Sequence, residues 1–322
     1  MRIVFLGTPE FAVPALEALA GRFEVLLAVA QPDRPRGRGR MVAPPPVKAR
    51  AFELGLPVMQ VERPNRPGAV GALAELQADL FVVVAYGALL SPELLAAPRL
   101  GCVNLHASLL PAYRGASPIQ AAILDGRAET GNTTMWMAEG LDTGDMILQR
   151  ALAIGRDETA GELSARLAID GAALLVETVE RIEAGSAPRT TQDGTKATLT
   201  KKIRKDDGAL DFTAPAVRVH DRARAMTPWP GAQAAFEGGI VRFERTQVAG
   251  ADAGAAGATP GTIVGPGPAG GLVVACGEGF IEVLRVRPAG KNDMNALDWW
   301  RGLRSGTGSA PRFTTPSREE KS

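Results

Sequence analysis

The sequence predicts two domains: a doubly wound α/β domain with a mostly parallel, Rossmann-like sheet, followed by a smaller domain of short β-strands. Three observations support this prediction. The 322 residues exceed the size at which a single core stops growing, about 250–300 residues. Short apolar runs alternate with helical stretches from residue 2 to about 106. After a basic segment near residue 200, the pattern changes to short strands separated by Gly- and Pro-rich turns.

Alternation of strands and helices in the first domain predicts a parallel sheet with helices on both faces. Residues 81–85 are apolar throughout, as expected for a strand that is covered on both sides. The 3.6-residue periodicity of 159–185 predicts a helix that ends at Gly185 and closes the domain. The predicted elements before it are, in order, the strand RIVFL, the helix PALEALA, the strand FEVLLAVA, the helix VKARAFEL, the strand PVMQV, a helix near 69–77, and the strands LFVVVA and CVNLH.

The remainder of the chain predicts a linker and a second domain. Residues 190–206 are polar and basic, which is typical of extended chain between domains. A helix around 214–226 then precedes regularly spaced strands, which indicate a small barrel or sandwich. We therefore place the first domain at 1–189, the linker at 190–206 and the second domain at 207–322. The predicted strands are QAAFEG, IVRFERTQV, GTIVG, GLVVACG and FIEVLRVRP.

Composition excludes several classes of protein. Apolar residues make up 45% of the chain and charged residues 22%, as in ordinary globular proteins. The longest apolar run, 80–90, is far shorter than the roughly 20 residues of a membrane helix, and the N-terminus lacks a secretory pattern. We expect a cytoplasmic protein with no membrane partner. Cys102 and Cys276 are expected to be buried free thiols, and only two histidines exist, which argues against a metal cluster.

Basic residues are concentrated in two segments although the net charge is only +1. The first, 31–50, follows the second predicted strand, and the second, 195–205, lies in the linker. Such segments suit binding to phosphate, although on charge alone a solvated loop and a solvated linker are the better explanation. The basic residues are Arg34, Arg36, Arg38, Arg40, Lys48 and Arg50 in the first segment and Lys196, Lys201, Lys202, Arg204 and Lys205 in the second.

Candidate catalytic residues lie at the end of the strand CVNLH. Asn104 and His106 are two residues apart and therefore project to one face, at the carboxyl edge where open α/β sheets bind ligands. A later Gly-rich turn contains Asp142, which could bring a carboxylate beside the imidazole. Taken singly, each residue is also explained as a satisfied polar group at a strand end or in a turn. The GTPEF segment after the first strand lacks the spaced glycines of a dinucleotide site.

Together these segments resemble one family. The motif NLHASLLPAYRGASPIQ at 104–120, followed by GLDTGD at 140–145, is similar to the signature of formyltransferases that use 10-formyltetrahydrofolate. Further matches, including QPDRPRGRGR, ARAMTPWPGA and VLRVRPAGKNDM, extend over nearly the whole chain and resemble the branch of this family that formylates methionyl initiator tRNA. The resemblance implies a formyltransferase fold for the first domain and an OB-like barrel for the second. Leu199, where the family usually has tyrosine, and the bulky Trp136 depart from the pattern.

The resemblance implies roles for the candidate residues. The formyl donor would be 10-formyltetrahydrofolate, and no metal would take part. We expect the protein to be a monomer. Asn104 and His106 would stabilise the charged oxygen of the tetrahedral intermediate, since fixed donors commonly contribute about 3–4 kcal/mol each. Asp142 would pair with His106 and help relay a proton to the departing folate nitrogen. The folate would contact Ser108, Leu109, Leu110, Pro111, Tyr86, Gly87, Leu89, Leu90, Met137 and Leu141.

The resemblance also implies how initiator methionyl-tRNA would bind. The 31–50 loop follows a strand at the carboxyl edge of the sheet, where it would become ordered on tRNA binding and contact the end of the acceptor stem. The barrel and the linker would contact the backbone of the stem. The candidate tRNA-binding residues are Arg34, Arg36, Arg38, Arg40, Lys201, Lys202 and Arg204.

Two alternatives fit parts of the sequence. Another enzyme that uses the same donor, formylating glycinamide ribonucleotide or a nucleotide sugar or hydrolysing the donor, would share Asn104, His106 and Asp142. Such an enzyme is not expected to combine the basic loop with TPWPG and RPAGKNDM. A tRNA-binding module with an inactive site would have no reason to keep all three candidate catalytic residues.

Overall fold

The computed structural model describes residues 1–36, 41–250, 257–303 and 311–316. The chain divides into two compact units. The first comprises Met1–Pro118, Glu129–Ala153 and Ser164–Thr200, and the second comprises Ile119–Ala128, Ile154–Leu163 and Lys201–Ser322. The helices and strands in chain order are β1 (Arg2–Gly7), α1 (Val13–Ala20), β2 (Glu24–Ala30), β3 (Arg34–Arg36), β4 (Met41–Ala43), α2 (Pro46–Glu53), β5 (Val58–Gln60), α3 (Pro67–Ala74), β6 (Leu80–Val84), α4 (Pro92–Leu95), β7 (Cys102–His106), β8 (Arg114–Gly115), α5 (Pro118–Leu124), β9 (Glu129–Trp136), β10 (Met146–Ala153), α6 (Ala160–Glu183), β11 (Leu199–Thr200), α7 (Ala216–Ala225), β12 (Ala232–Phe236), β13 (Gly239–Val248), β14 (Ile263–Pro266), β15 (Leu272–Ala275), β16 (Phe280–Pro288), β17 (Met294–Asn295) and α8 (Ala296–Arg301).

The first unit is built on a seven-stranded sheet in the order β10-β9-β7-β6-β1-β2-β5. The five strands from β7 to β5 are parallel, and β9 and β10 continue the sheet antiparallel at one edge. The predicted doubly wound, mostly parallel sheet is therefore confirmed. The direction of winding reverses between β1 and β6, and open α/β sheets bind their ligands beside such a reversal, at the carboxyl ends of the strands.

Both faces of this sheet are covered, which explains the uniformly apolar strands. In β1, Ile3 and Phe5 enter one hydrophobic cluster while Val4 and Leu6 enter the other. The alternation follows from the two-residue period of a strand. Cys102 lies in the second of these clusters, and burial raises the pKa of its thiol to about 12. Cys102 and Cys276 are both buried and free, as predicted.

The segment predicted to be a linker is partly ordered against the first unit. Thr190 forms an isolated antiparallel bridge with Met146. Further along, β11 pairs in parallel with β8, so that Leu199 lies opposite Arg114 and Thr200 opposite Gly115. Parts of the segment 190–200 are therefore paired with strands of the first unit, and of the predicted linker only residues 201–206 belong to the second unit.

The second unit contains an antiparallel sheet in the order β12-β13-β16-β15-β14, with β17 paired to β16. Isolated bridges join Thr314 to Ala235 of β12 and Arg312 to Thr262, the residue before β14. The separate domain with an antiparallel sheet is confirmed. Within the described part of the chain the edge strands β12 and β14 do not pair directly, so the closed OB-like barrel stays a prediction. The core of this unit includes a cluster of aromatic rings from Phe212, Phe236, Phe243, Trp299 and Phe313.

A buried histidine of the second unit makes its stability sensitive to acid. His220 in α7 is 2% exposed, with Nδ1 2.8 Å from Thr246 Oγ1 and Nε2 3.2 Å from Asp157 Oδ1. Burial lowers the pKa of His220 from 6.5 and nearby Arg224 adds to this effect, although the contact with the carbonyl oxygen of Arg156 and the charges of Asp157 and Asp221 oppose it. Between this lowered pKa and about pH 6.5, the unfolded chain therefore binds a proton that the folded chain does not. Stability should fall with decreasing pH, by at most about 1.4 kcal/mol per pH unit from this group.

Urea unfolding at pH 7.5 and at pH 5.5 measures this loss. We expect the wild-type protein to lose more stability between these values than His220→Asn, in which the titrating ring is replaced by an amide that can still bond to Thr246. An equal loss in both proteins would contradict the assignment.

No helix in the described ranges combines the length and the apolar character that a membrane span requires.

Candidate active site

Strand β7 presents the two candidate donors. It lies between β6 and β9, where Asn104 is opposite Val83 and Met135, and His106 is opposite Thr133. Both side chains project to the same face, as predicted from their spacing. Asn104 is half-buried, and its side-chain amide makes no hydrogen bond to any residue that the structure describes. The amide is therefore available to a ligand.

His106 is held between two oxygen acceptors. The side chain is 7% exposed, and its Nε2 lies 2.9 Å from the carbonyl oxygen of Tyr113. Because this carbonyl can only accept, Nε2 carries the hydrogen of that bond. On the other side, Nδ1 lies 3.6 Å from Asp142 Oδ2, a distance for an ion pair rather than a direct hydrogen bond. Nδ1 is therefore the ring nitrogen with the looser contact.

Asp142 approaches the ring from the turn between β9 and β10. Its backbone is in the left-handed region, with φ of 53°, which Asp tolerates better than most residues. Its Oδ2 accepts a 2.8 Å hydrogen bond from the backbone N–H of Gly115. Gly115 itself has φ of 113°, and a Cβ there would lie 2.6 Å from Thr200 O, so this position requires glycine. His106, Asp142, Tyr113 and Gly115 thus form one cluster.

Three residues of this arrangement, Tyr113, Gly115 and Gln192, were not predicted from the sequence. Tyr113 and Gly115 lie inside the AYRG part of the motif, but nothing in their residue types indicated a contact with His106 or Asp142. Gln192, from the predicted linker, bonds to the turn that carries Asp142. No pattern in the polar linker singled out this glutamine.

The residues after β7 that were predicted to line the folate cleft differ in exposure. Ser108 is buried and donates a 2.6 Å hydrogen bond from Oγ to Ala112 O. Leu110 is buried too, and its N–H donates to Thr133 Oγ1. Leu109 and Pro111 are half-buried. Ser108 and Leu110 therefore stabilise the segment that follows His106 rather than presenting free side chains.

The residues of the two turns predicted to contact the folate, at 86–90 and 137–142, also differ in exposure. Tyr86 is buried, with its hydroxyl donating to Val61 O and its carbonyl accepting from Thr8 Oγ1, and burial raises the pKa of the hydroxyl to about 12. Leu90 is buried and Met137 half-buried, whereas Leu89 is 64% exposed and Leu141 is 51% exposed. Gly87 has φ of 89° and is exposed. Leu89 and Leu141 are thus the apolar side chains available to a ligand.

The two departures from the family pattern lie in different environments. Trp136 packs into a core cluster, and the Arg189 guanidinium lies 4.2 Å from the centre of its ring. At this distance the guanidinium makes a favourable cation–π contact with the ring. Leu199 in β11 is exposed.

Only some of the predicted tRNA-binding residues are described. Arg34 is exposed on β3, which pairs with β4, and the backbone of Arg36 belongs to the same strand. Arg38 and Arg40 lie outside the described residues. At the base of this hairpin, Lys48 Nζ lies 2.8 Å from Asp33 Oδ2, and this contact lowers the pKa of Asp33. In the second unit, the predicted residues Lys201, Lys202 and Arg204 are all exposed.

The ranges that the structure describes contain no group of three or more His, Cys, Asp or Glu side chains arranged to hold a metal ion.

Comparison with known proteins covers nearly the whole chain. Residues 1–179 match the model of the formyl transferase family, and residues 202–304 match that of the formyl transferase C-terminal domain. A methionyl-tRNA formyltransferase from Solibacter usitatus is 46% identical over 306 residues, which cover 94% of this chain and 96% of that protein. One from Symbiobacterium thermophilum is 45% identical over 323 residues, which cover 100% of this chain and 98% of that protein.

Among solved structures, the N-formyltransferase from Helicobacter canadensis, in complex with folinic acid and dTDP-3-aminofucose, superposes with a TM-score of 0.64. The match covers 88% of this chain and 98% of that chain at 17% sequence identity. At this level of identity the likeness supports the fold alone.

Proposed function

The chain belongs to the formyltransferase family, and from this membership we infer that it transfers the formyl group of 10-formyltetrahydrofolate to the α-amino group of methionyl initiator tRNA. The product is N-formylmethionyl-tRNA, which is used to initiate translation. The observation that carries this conclusion is the identity of 45–46% with methionyl-tRNA formyltransferases over nearly the full length of both chains. The His106–Asp142 contact at the carboxyl edge of the sheet supports it independently.

The reaction sets three tasks for the side chains of this site. The acceptor amine must lose a proton, which is easy because the pKa of a free α-amino group is only about 7.7–8.0. Attack on the formyl carbon then gives a tetrahedral carbon with a charged oxygen. Finally the bond between this carbon and the folate nitrogen breaks, and the nitrogen must take up a proton to leave as a neutral amine.

We assign stabilisation of the charged oxygen to Asn104 Nδ2 and to His106. The free amide of Asn104 needs no rearrangement before it donates. For His106, the 3.6 Å contact of Nδ1 with Asp142 is weaker than the 2.9 Å bond of Nε2 to Tyr113 O. Nδ1 is therefore the nitrogen that can turn from Asp142 to the charged oxygen. Asp142, on the same side of the ring, would then help to relay the proton that the folate nitrogen receives.

We propose that exposed Leu89 and Leu141 form apolar walls for the folate, on turns supported by the buried Tyr86 and Leu90. Ser108 and Leu110 would hold the cleft in shape, with Leu109 and Pro111 at its surface. Gly87 and Met137 would contribute backbone groups to the pterin ring. Phosphates of the tRNA would be bound by Arg34, Arg36, Arg38, Arg40, Lys201, Lys202 and Arg204.

The domain bounds, the OB-like barrel and the oligomeric state are part of the same proposal. We propose a catalytic domain over 1–189, a basic linker over 190–206 and a tRNA-binding domain over 207–322, and the family matches at 1–179 and 202–304 support a division into two domains. The bridges of residues 312 and 314 to both edges of the antiparallel sheet support an OB-like barrel. We propose that the protein acts as a cytoplasmic monomer.

The identity of the acceptor is the direct test of this function. The protein should be incubated with 10-formyltetrahydrofolate and, in parallel, with methionyl initiator tRNA, free methionine, glycinamide ribonucleotide or a nucleotide amino sugar. We expect only the methionyl-tRNA to gain a formyl group. Formylation of the ribonucleotide or the sugar instead would place the protein in another branch of the family, and release of formate without an acceptor would identify a hydrolase.

Replacing Arg34 tests the proposed tRNA contact. Arg34→Ala should raise the KM for tRNA and make the negative slope of log affinity against log salt shallower by about one, as expected for one lost phosphate contact. The KM for the folate and the kcat at saturating tRNA should not change. Arg22→Ala is the matched control, because Arg22 is an exposed arginine just before β2, at the opposite edge of the sheet. An unchanged salt slope in Arg34→Ala would contradict the contact.

A further inference from the structure

We propose that Gln192 is a positioning residue that holds Asp142 against His106, so that the predicted linker forms part of the catalytic machinery. The inference rests on the proposed role of Asp142. Gln192 lies in the polar stretch 190–206, which was expected to be extended chain between domains. The residue is instead only 8% exposed.

The side chain of Gln192 bridges two parts of the site. Its Nε2 donates to the carbonyl oxygen of Asp142 at 2.9 Å and to that of Gly144 at 2.8 Å. Its Oε1 accepts from Arg114 Nε at 3.0 Å and from Nη2 at 2.7 Å. Both amide hydrogens and both lone pairs of the oxygen are therefore used.

These partners permit only one orientation of the amide. The carbonyl oxygens of Asp142 and Gly144 can only accept, and the guanidinium of Arg114 can only donate. A rotated amide would place oxygen against two carbonyl oxygens and NH₂ against the guanidinium. The contacts therefore fix the side chain, and through it the backbone of the turn that carries Asp142.

The hydrogen bonds form a closed ring around the carboxylate. Arg114 bonds to Gln192, Gln192 bonds to the backbone of Asp142, and Asp142 Oδ2 accepts from Gly115, the residue after Arg114. The ring thus fixes both the backbone and the side chain of Asp142. A residue with φ of 53° needs such support, because the left-handed conformation is costly for residues other than glycine.

The same segment also supports the other partner of His106. Thr198 Oγ1 accepts a 2.7 Å hydrogen bond from the N–H of Tyr113, whose carbonyl oxygen contacts His106 Nε2. Thr200 Oγ1 donates to Arg114 O at 3.1 Å. Residues 192–200 therefore hold the chain on both sides of the imidazole, and within this stretch Gln192 is the residue that contacts the Asp142 turn.

Gln192→Glu is the sharpest test, because it keeps the size of the side chain and the contact with Arg114. It replaces the NH₂ group with an oxygen that faces two carbonyl oxygens. We expect kcat to fall roughly ten- to a hundredfold, the effect of displacing a catalytic group by about 1 Å, while the KM values for folate and tRNA change less than about twofold. Gln77→Glu, which adds the same charge at an exposed site just before β6, should leave kcat unchanged. Gln192→Met, uncharged and similar in length, serves as a second variant if Gln192→Glu does not fold.

A double-mutant cycle with Asp142→Asn separates positioning from general damage. If Gln192 acts through Asp142, Gln192→Glu should lower kcat little further once Asp142 is replaced. Additive losses, or an unchanged kcat in Gln192→Glu and Gln192→Met, would overturn the inference while the role of Asp142 stands. If Asp142→Asn alone keeps full turnover, the proposed role of Asp142 fails, and the inference about Gln192 fails with it.

Discussion

Replacing His106 with alanine is expected to lower kcat about a hundredfold or more while leaving the affinity for tRNA nearly unchanged. The ring supplies a donor to the charged oxygen of the tetrahedral intermediate, and it is the partner through which Asp142 acts. Removing it therefore ends two contributions at once. Because the imidazole is buried and contacts protein atoms on both sides, it contributes little to the binding of a large tRNA. Single-turnover formylation with saturating tRNA and folate measures the chemical step directly.

The second histidine provides the control for this experiment. His220 is buried in the second unit, so His220→Asn should affect stability at low pH and leave kcat near the wild-type value at pH 7.5. The thermal unfolding of His106→Ala should also be measured, since its cavity could lower stability. Wild-type turnover by folded His106→Ala would refute the proposed role of the ring.

Replacing Asn104 is expected to have an effect of similar size. Asn104→Ala removes one donor to the charged oxygen and should lower kcat about a hundred- to a thousandfold with little change in either KM. Asn104→Asp should be at least as severe, because a carboxylate would face the oxygen that becomes negative. Both variants should fold normally, since this side chain makes no hydrogen bond within the described residues.

A comparison of the two Asn104 variants distinguishes donation from packing. If Asn104 only filled space, Asn104→Asp, which has nearly the same shape, would retain most of the activity while Asn104→Ala would lose it. We expect instead that neither variant retains activity near that of the wild type. Measuring kcat and both KM values for each protein decides between these outcomes.

The sheet and the pairing of Asn104 with His106 on one face were predictable from the sequence because both depend on local periodicity. Strands β1, β2 and β6 are apolar runs whose alternate residues face two cores, and in β7 a two-residue spacing places Asn104 and His106 on one face. The position of Asp142 beside His106 does not depend on local periodicity. It depends on a left-handed backbone and on an N–H of Gly115, so the sequence indicated only that a later Gly-rich turn could bring a carboxylate beside the imidazole.

Other features could not be predicted because they depend on partners distant in sequence. Gln192 lies in a polar stretch, and its function depends on Arg114 and on the turn of Asp142. Tyr86 was expected at the folate turn, but its aromatic ring is buried and its hydroxyl bonds to Val61, which nothing in the turn indicated. Elements as short as β8 and β11 have no periodicity of their own to detect.

The division of the chain into units limits how this architecture can be recombined. Residues 119–128 and 154–163 belong to the second unit although they precede most of it by many residues. Within that unit Glu162 pairs with Arg245 at 2.7 Å, and the carbonyl of Arg156 contacts His220. A chimaera that joins residues 1–200 of one relative to the rest of another would therefore combine mismatched partners. We expect these two stretches to be inherited together with the second unit, as one block made of three separate pieces of the gene.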